Sequence, residues 1–323
     1  MEQSAAIILA AGKSTRMQSE LPKVLHPICG RPMLGFVLSA CRLAGVDRLV
    51  VVVGHGREQV QEAFSAERDI TWVEQTEQLG TGHAVQVCRE ALSGFRGSVV
   101  VVAGDMPLIQ RETVAQLLHI RHESSAAMTM ATTRLDDPTG YGRILRDGEG
   151  RLAGIIEHRD CDDEQLGIQE VNPSYYCFDS ERLFSSLDAL SPGSSGEIYL
   201  TDIVEYFRSQ GQPVSAEIEV AAEDAMGINT RLALARVARV MQDRIQWGLM
   251  SNGVTIVDPD NAWIESDVSI GQDSVIYPFT FVGKGANIGE KCQIGPFAHI
   301  PAGETIADGE KVESTLTPGL GAR

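Results

Sequence analysis

Three cations, Lys13, Arg16 and Lys23, cluster just after an apolar run over residues 5–11 that breaks at Gly12 into polar residues. A run of this kind reads as a buried first strand feeding a loop at its carboxyl end, which is where open α/β sheets bind ligands. The glycine lets the backbone approach closely. Main-chain N–H groups and three cations then suit a polyphosphate, so the implied ligand is a nucleotide. Two familiar phosphate loops are excluded by counting. A Walker loop ending at Gly12-Lys13-Ser14 needs glycine where Ile7 stands, and a dinucleotide fingerprint starting at Gly12 needs glycine where Ser14 and Met17 stand. A second chemical group, Asp105, follows the apolar run 99–103 where a strand gives way to a loop. Local sequence leaves it as either a helix N-cap or an oxygen ligand for a hard cation. Local sequence reads Asn229, before a long helical pattern, as an N-cap, and the polar, glycine-bearing segment 75–84 could be an ordinary turn and cap. His83 reads as structural, because a lone histidine on a helix seldom carries chemistry.

The elements that would position these groups alternate. Residues 33–44 have apolar side chains at helical spacing, and 48–53 is a Val-rich run typical of a strand buried on both faces. Residues 57–65 read as helix, 70–73 as strand, 80–92 as helix and 98–102 as strand, the rhythm of a doubly wound α/β sheet. From 126 the period shortens to two, with strands expected at 126–133, 143–146, 152–157 and 175–178 as an antiparallel addition. Residues 196–202 open an amphipathic helix that Thr201 and Asp202 could cap, and 231–250 reads as one long helix.

The tail has a different period. Ile264, Ile270, Ile276, Val282, Ile288, Ile294, Ile300, Ile306 and Val312 stand six apart, with glycine often following and small residues often two positions before. This is the hexapeptide pattern of a left-handed parallel β-helix, about three coils long. The expected division is therefore 1–229 for the α/β domain, 230–252 for a linking helix and 253–323 for the β-helix. A short stack of coils leaves faces that neighbours can bury, which makes the repeat an expected oligomerisation element.

Composition narrows the partners. With 27 basic and 44 acidic residues the formal charge is −17, which opposes non-specific binding to nucleic acid or an anionic membrane. Any anionic substrate must meet a local basic site. Six cysteines without a C-x-x-C pair suggest neither a zinc site nor a disulfide framework. No apolar run approaches the roughly 18 residues of a membrane span and no secretory leader opens the chain, so a cytoplasmic, soluble protein is expected.

Leu-Ala-Ala-Gly-x-x-Thr-Arg-Met at 9–17 followed by Leu-Pro-Lys-Val-Leu-His at 21–26 resembles the signature loop of sugar-nucleotide pyrophosphorylases. The resemblance is strongest to the uridyltransferase half of the bacterial bifunctional N-acetylglucosamine-1-phosphate uridyltransferase and glucosamine-1-phosphate acetyltransferases. It implies a nucleotide-diphospho-sugar transferase fold and a Mg²⁺-dependent reaction of UTP with N-acetylglucosamine 1-phosphate. In this likeness Leu9, Ala10, Ala11 and Gly12 lie against substrate, and Arg16 and Lys23 act on the phosphates, joined more loosely by Lys13. Gln75 with the main chain at Gly80 and Thr81 reads the uracil. Ala103 and Gly104 flank Asp105, which with Asn229 holds the metal; the family often has an aromatic residue where Ala103 stands. Gly142, Glu157 and Asn172 hold the sugar, with Thr201 beside it. The family also implies a homotrimer built on the β-helix. Its acetyl-transfer histidine and acetyl-CoA groove lie on coils that this sequence does not contain, and His299 is not set in such a motif, so no acetyl transfer is expected. Two rivals stand beside this reading. One is a related nucleotidyltransferase with another nucleoside triphosphate or sugar phosphate, against which the ordered set Gln75, Gly142, Glu157 and Asn172 argues. The other is a non-catalytic regulatory subunit that senses a sugar nucleotide, against which intact Arg16, Lys23 and Asp105 argue.

Overall fold

The computed structural model describes residues 2–13, 15–193 and 196–314. Along the chain run β1 (Ser4–Ala10), a hairpin of β2 (Pro27–Ile28) and β3 (Arg31–Pro32), α1 (Met33–Leu43), β4 (Arg48–Val53), α2 (Arg57–Ala63), β5 (Ile70–Glu74), α3 (Thr81–Gln86), β6 (Ser98–Ala103), α4 (Arg111–Ser124) and β7 (Met128–Arg134). There follow β8 (Gly142–Arg146), β9 (Leu152–Ile156), α5 (Asp163–Leu166), β10 (Glu170–Asn172), β11 (Tyr176–Asp179), α6 (Ser180–Ser186), α7 (Ile203–Ser209), β12 (Val214–Glu219) and α8 (Arg231–Ser251). The described chain divides into two compact units, 2–26 with 33–230 and 27–32 with 231–314.

The first unit is built on one sheet of order β5-β4-β1-β6-β11-β7-β10-β8-β9, with β12 pairing β7. The β5-β4-β1-β6 half is parallel; β4, β1 and β6 come from apolar runs buried almost throughout, and β5 at the edge is only partly buried. Beyond β6 the sheet is mixed. β11 is antiparallel to both its neighbours, and β10, β8 and β9 form an antiparallel extension. Alternation along each strand divides its side chains between faces. Ala5, Ile7, Val50, Val52, Val99 and Val101 therefore share a core with Val85, Leu183 and Phe207. Two expected helices are shorter than their patterns. The segment after Gln86 continues as turns with i→i+3 bonds, and the helix expected from 196 begins only at Ile203, after a 3₁₀ turn at Leu200–Asp202.

In the second unit, ten two-residue strands wind as a parallel β-helix: β13 (Thr255–Ile256), β14 (Trp263–Ile264), β15 (Ser269–Ile270), β16 (Val275–Ile276), β17 (Phe281–Val282), β18 (Asn287–Ile288), β19 (Gln293–Ile294), β20 (His299–Ile300), β21 (Thr305–Ile306) and β22 (Lys311–Val312). They stack into three sheets, β13-β16-β19-β22, β14-β17-β20 and β15-β18-β21. From β14 onward each strand pairs with the one 18 residues later, as in Ile264↔Val282↔Ile300, so the hexapeptide aliphatics form an interior column. Coils lie so close that a Cβ at Gly283 would come within 2.5 Å of the Ala302 nitrogen. The sequence pattern missed β13, because Ile256 stands eight residues before Ile264 and the 3₁₀ turn Pro259–Asn261 takes up the difference.

Among the described residues no strand lies beside the outer edge of β14. Trp263 and Glu265 donate to Thr280 and Val282 on the next coil, which turns the N–H and C=O of Ile264 the other way. Fully buried Gln242 of α8 meets both groups, accepting from Ile264 N at 3.0 Å and donating to its carbonyl, and Gln246 donates to Ala262 O at 2.9 Å. Two side-chain amides thus take the place of a strand. The hairpin adds a contact, with the Cys29 carbonyl accepting from Ser266 N at 2.8 Å.

Candidate active site

A cavity of about 500 Å³ opens at the carboxyl ends of the parallel strands. Leu9 to Lys13 form one wall, Gln75, Gly80 and Thr81 another, and Ala103, Asp105, Glu157 and Thr201 complete it together with Lys23. Each parallel strand ends here because its apolar run is followed by glycine or polar residues, and the polar groups stay at the mouth of a dry sheet.

At one end, the Lys23 ammonium pairs with the Asp105 carboxylate and donates to Asn229 Oδ1 at 3.1 Å. Residues 206 apart in sequence are held together by the loop before α8. Ile228 N donates to Asp105 O at 3.0 Å, and the Tyr141 and Tyr175 hydroxyls donate to the carbonyls of Ala225 and Asp224. Asp105 does not cap a helix: the next one, α4, starts at Arg111 with Gln110 as its N-cap. Two hard oxygens on different segments therefore converge on one positive charge. That is a donor set a hard cation can use, with water or phosphate completing its shell.

At the other end, the backbone at Gly80 has φ +100°, and a Cβ there would lie 2.5 Å from Ile198 O. Only glycine lets segments 79–82 and 198–200 lie this close. They are joined by Gly82 N donating to Ile198 O, Ile198 N to Leu79 O and Leu200 N to Thr81 Oγ1. Gln78 ties the segment to the first loop through Ala11 O at 2.9 Å. Gln75 is buried, and its Nε2 lies 3.1 Å from both Gly80 O and His83 Nδ1.

On a third side, Thr201 Oγ1 donates to Glu157 Oε1 at 3.1 Å, so Thr201 serves the cavity rather than capping α7. Burial lifts the Glu157 carboxyl above the ordinary carboxylate range, against the smaller opposing effect of that hydrogen bond. Asn172 and Gly142 face each other across β10 and β8 but do not line the cavity. The Asn172 amide donates to Tyr176 Oη at 2.5 Å and accepts from Ser174 N at 2.8 Å, and it is Tyr176 and Ser174 that reach the cavity. Gly104 lies behind the wall, its N–H donating to Leu9 O. Arg16 is exposed on the 3₁₀ turn Thr15–Met17 and does not line the cavity. Sequence reasoning missed His55, which does and carries no motif of its own, and from the segment 196–202 it named only Thr201, although Glu197 and Tyr199 line the cavity too. Glu197 is held by Arg159 at 2.7 Å and by the Tyr199 hydroxyl at 2.9 Å.

A mixed sheet whose parallel half carries a basic loop after its first strand and a carboxylate after β6, with a polar cavity between them, defines a nucleotide-binding α/β protein of the nucleotidyltransferase class. Its sequence matches the family described as the MobA-like NTP transferase domain over residues 6–207, and the chain belongs to that family. Among similar proteins is the bifunctional protein GlmU of Listeria monocytogenes serotype 4b (strain CLIP80459), 43% identical over 295 residues, covering 91% of this chain and 64% of the relative. GlmU of Geobacillus thermodenitrificans is 44% identical with the same coverages. The chain thus spans under two thirds of the length of these relatives. GlmU of Syntrophomonas wolfei is 42% identical over 96% of this chain and 69% of its own. Among solved structures, a UDP-glucose pyrophosphorylase complexed with UDP-glucose has the same fold, with TM-score 0.62 at 16% identity over 76% of this chain and 100% of that one. No helix among the described residues is long and apolar enough to cross a membrane.

Proposed function

We propose that this chain joins UTP to N-acetylglucosamine 1-phosphate, releasing pyrophosphate and UDP-N-acetylglucosamine. The observation that carries the reading is the placement, in one cavity, of Lys23 and Asp105 opposite the Gln75, Gly80 and Thr81 wall, with Glu157 and Thr201 on a third side and Asn229, outside the lining, bonded to Lys23. The sugar phosphate oxygen attacks the α-phosphorus, the bond to the pyrophosphate breaks, and no covalent protein intermediate is needed. The protein's task is to align two anions and neutralise charge on the leaving group. Lys23 stands where it can take phosphate charge, and Arg16 extends the basic loop. Asp105 and Asn229 would hold Mg²⁺, which when bound supplies further charge neutralisation at the phosphates. Both amide hydrogens of Gln75 are used within the protein, so its contribution to a base is the acceptor Oε1. The Glu157 carboxylate is an acceptor for a sugar hydroxyl, and Asn172, with its amide committed to Tyr176, acts through that phenol. The β-helix, residues 264–312, carries homotrimer assembly.

The test is pyrophosphate release with each of the four nucleoside triphosphates against glucose, glucosamine and N-acetylglucosamine 1-phosphates. The reading expects UTP with the acetylated sugar to be preferred. Preference for another pair would replace it with the related-nucleotidyltransferase reading, and no release with any pair would favour a sensing role.

A further inference from the structure

The hydrogen bonds around Gln75 fix which way its amide points. Gly80 O can only accept, so the Gln75 atom 3.1 Å from it is the NH₂ group. That group has no acceptor capacity, so His83 Nδ1, also 3.1 Å from it, must be the accepting ring nitrogen. Turning the amide over would set Oε1 against the Gly80 carbonyl, an acceptor that no change of His83 tautomer can relieve. Gln75 is almost fully buried, where water cannot relieve such a mismatch.

We propose that His83 is a positioning residue that, by accepting from Gln75, holds the amide with Oε1 toward the ligand and so selects a base presenting an N–H between two carbonyls over one presenting a bare ring nitrogen. Uracil and thymine have that N–H at N3. Cytosine has an acceptor there, and an amide oxygen facing it makes no hydrogen bond. His83 does not line the cavity; it lies on α3 and meets the glutamine from there. Gly80 O already fixes the amide in part, so loss of His83 weakens the preference rather than abolishing it. The inference rests on the uridylyl-transfer reading for its substrate, but its core is a polarity relay among three residues.

The test compares the wild type with His83→Ala, with His83→Phe, which keeps ring bulk without an acceptor, and with His83→Asn, whose side-chain oxygen can accept. For each, kcat and KM are measured with UTP, dTTP and CTP at saturating N-acetylglucosamine 1-phosphate, beside equilibrium binding of UMP and CMP. Removing the acceptor is expected to lower the UTP-to-CTP ratio of kcat/KM by about tenfold, the usual worth of one hydrogen bond in a buried site. The change should lie in KM, the UTP-to-dTTP ratio should hold, and His83→Asn should restore much of the UTP-to-CTP preference. An unchanged UTP-to-CTP ratio in both acceptor-less variants, or an equal fall in the dTTP ratio, would overturn the inference. If the wild type turned over no pyrimidine nucleotide, the functional reading would fail, while the UMP-to-CMP binding ratio would still decide the role of His83.

Discussion

Lys23 and Asp105 neutralise each other in a half-sheltered position, and Asn229 completes a small polar knot. Removing either charge strips the phosphate end of a fixed electrostatic partner. Lys23→Ala and Asp105→Asn are each expected to lower kcat by at least about a hundredfold while the circular dichroism spectrum stays native; near-normal turnover in either would remove that residue from the reaction. Glu157 makes a different prediction because burial raises its pKa above the ordinary 4.5. A carboxyl whose pKa is higher folded than unfolded favours folding when protonated, and that contribution is lost as pH rises through the folded pKa. Charged Glu157 therefore opposes folding at neutral pH. Glu157→Gln, which keeps an acceptor for Thr201, should melt higher than wild type at neutral pH, and the gain should vanish below the ordinary carboxylate range. The same variant should raise KM for the sugar phosphate. A melting difference independent of pH would show that the buried charge of Glu157 is not what opposes folding.

Elements decide how much of this could be read in advance. The strands β1, β4 and β6 were legible because burial on both faces demands unbroken apolar runs, and the hexapeptide coils because stacking repeats one interior position every six residues. The hairpin 27–32, β12 and β13 were not. They are short, or their apolar residues fall out of phase with the pattern beside them. At the site, motif segments pointed to the loops after strands, and the structure brings Lys23, Asp105, Gln75, Glu157 and Thr201 to one cavity. That Asn172 acts one residue removed, or that His83 aligns Gln75, depends on side-chain geometry between segments and leaves no spacing signal. The Gly80 crossing shows how strict such geometry is. Gly80→Ala would need a strained positive φ and a clash with the Ile198 backbone, so it should cost about 1–3 kcal/mol in chemical denaturation and weaken nucleotide binding; wild-type stability would mean the two segments can part. On α8, Gln242→Leu leaves the amide and carbonyl of Ile264 buried without partners, about 1–3 kcal/mol each, and denaturant melts should register that loss in the second unit.

At the scale of the molecule, the surface of the β-helix carries an aromatic pair. Phe279 and Phe297 stack with centroids 5.0 Å apart and 8° between planes, yet remain 56% and 46% exposed. Apolar surface of this kind is what the proposed trimer would cover. Light scattering across a concentration series should give three chains per particle for the wild type and a shift toward monomer for Phe279→Ser combined with Phe297→Ser, with pyrophosphate release per chain unchanged. A monomeric wild type would end the assembly proposal. The glutamine pair on α8 has a consequence of another kind. Gln242 and Gln246 terminate the β14 column as a blocked end terminates a polymer: no further strand can add where two amides already occupy the hydrogen-bonding edge. Length in this element can therefore be changed by design at the distal face alone, in steps of one coil, while the end nearest α8 stays fixed. Grafting 18-residue coils beyond β22 should leave the catalytic unit indifferent, whereas any coil inserted before β14 would first have to evict the glutamines.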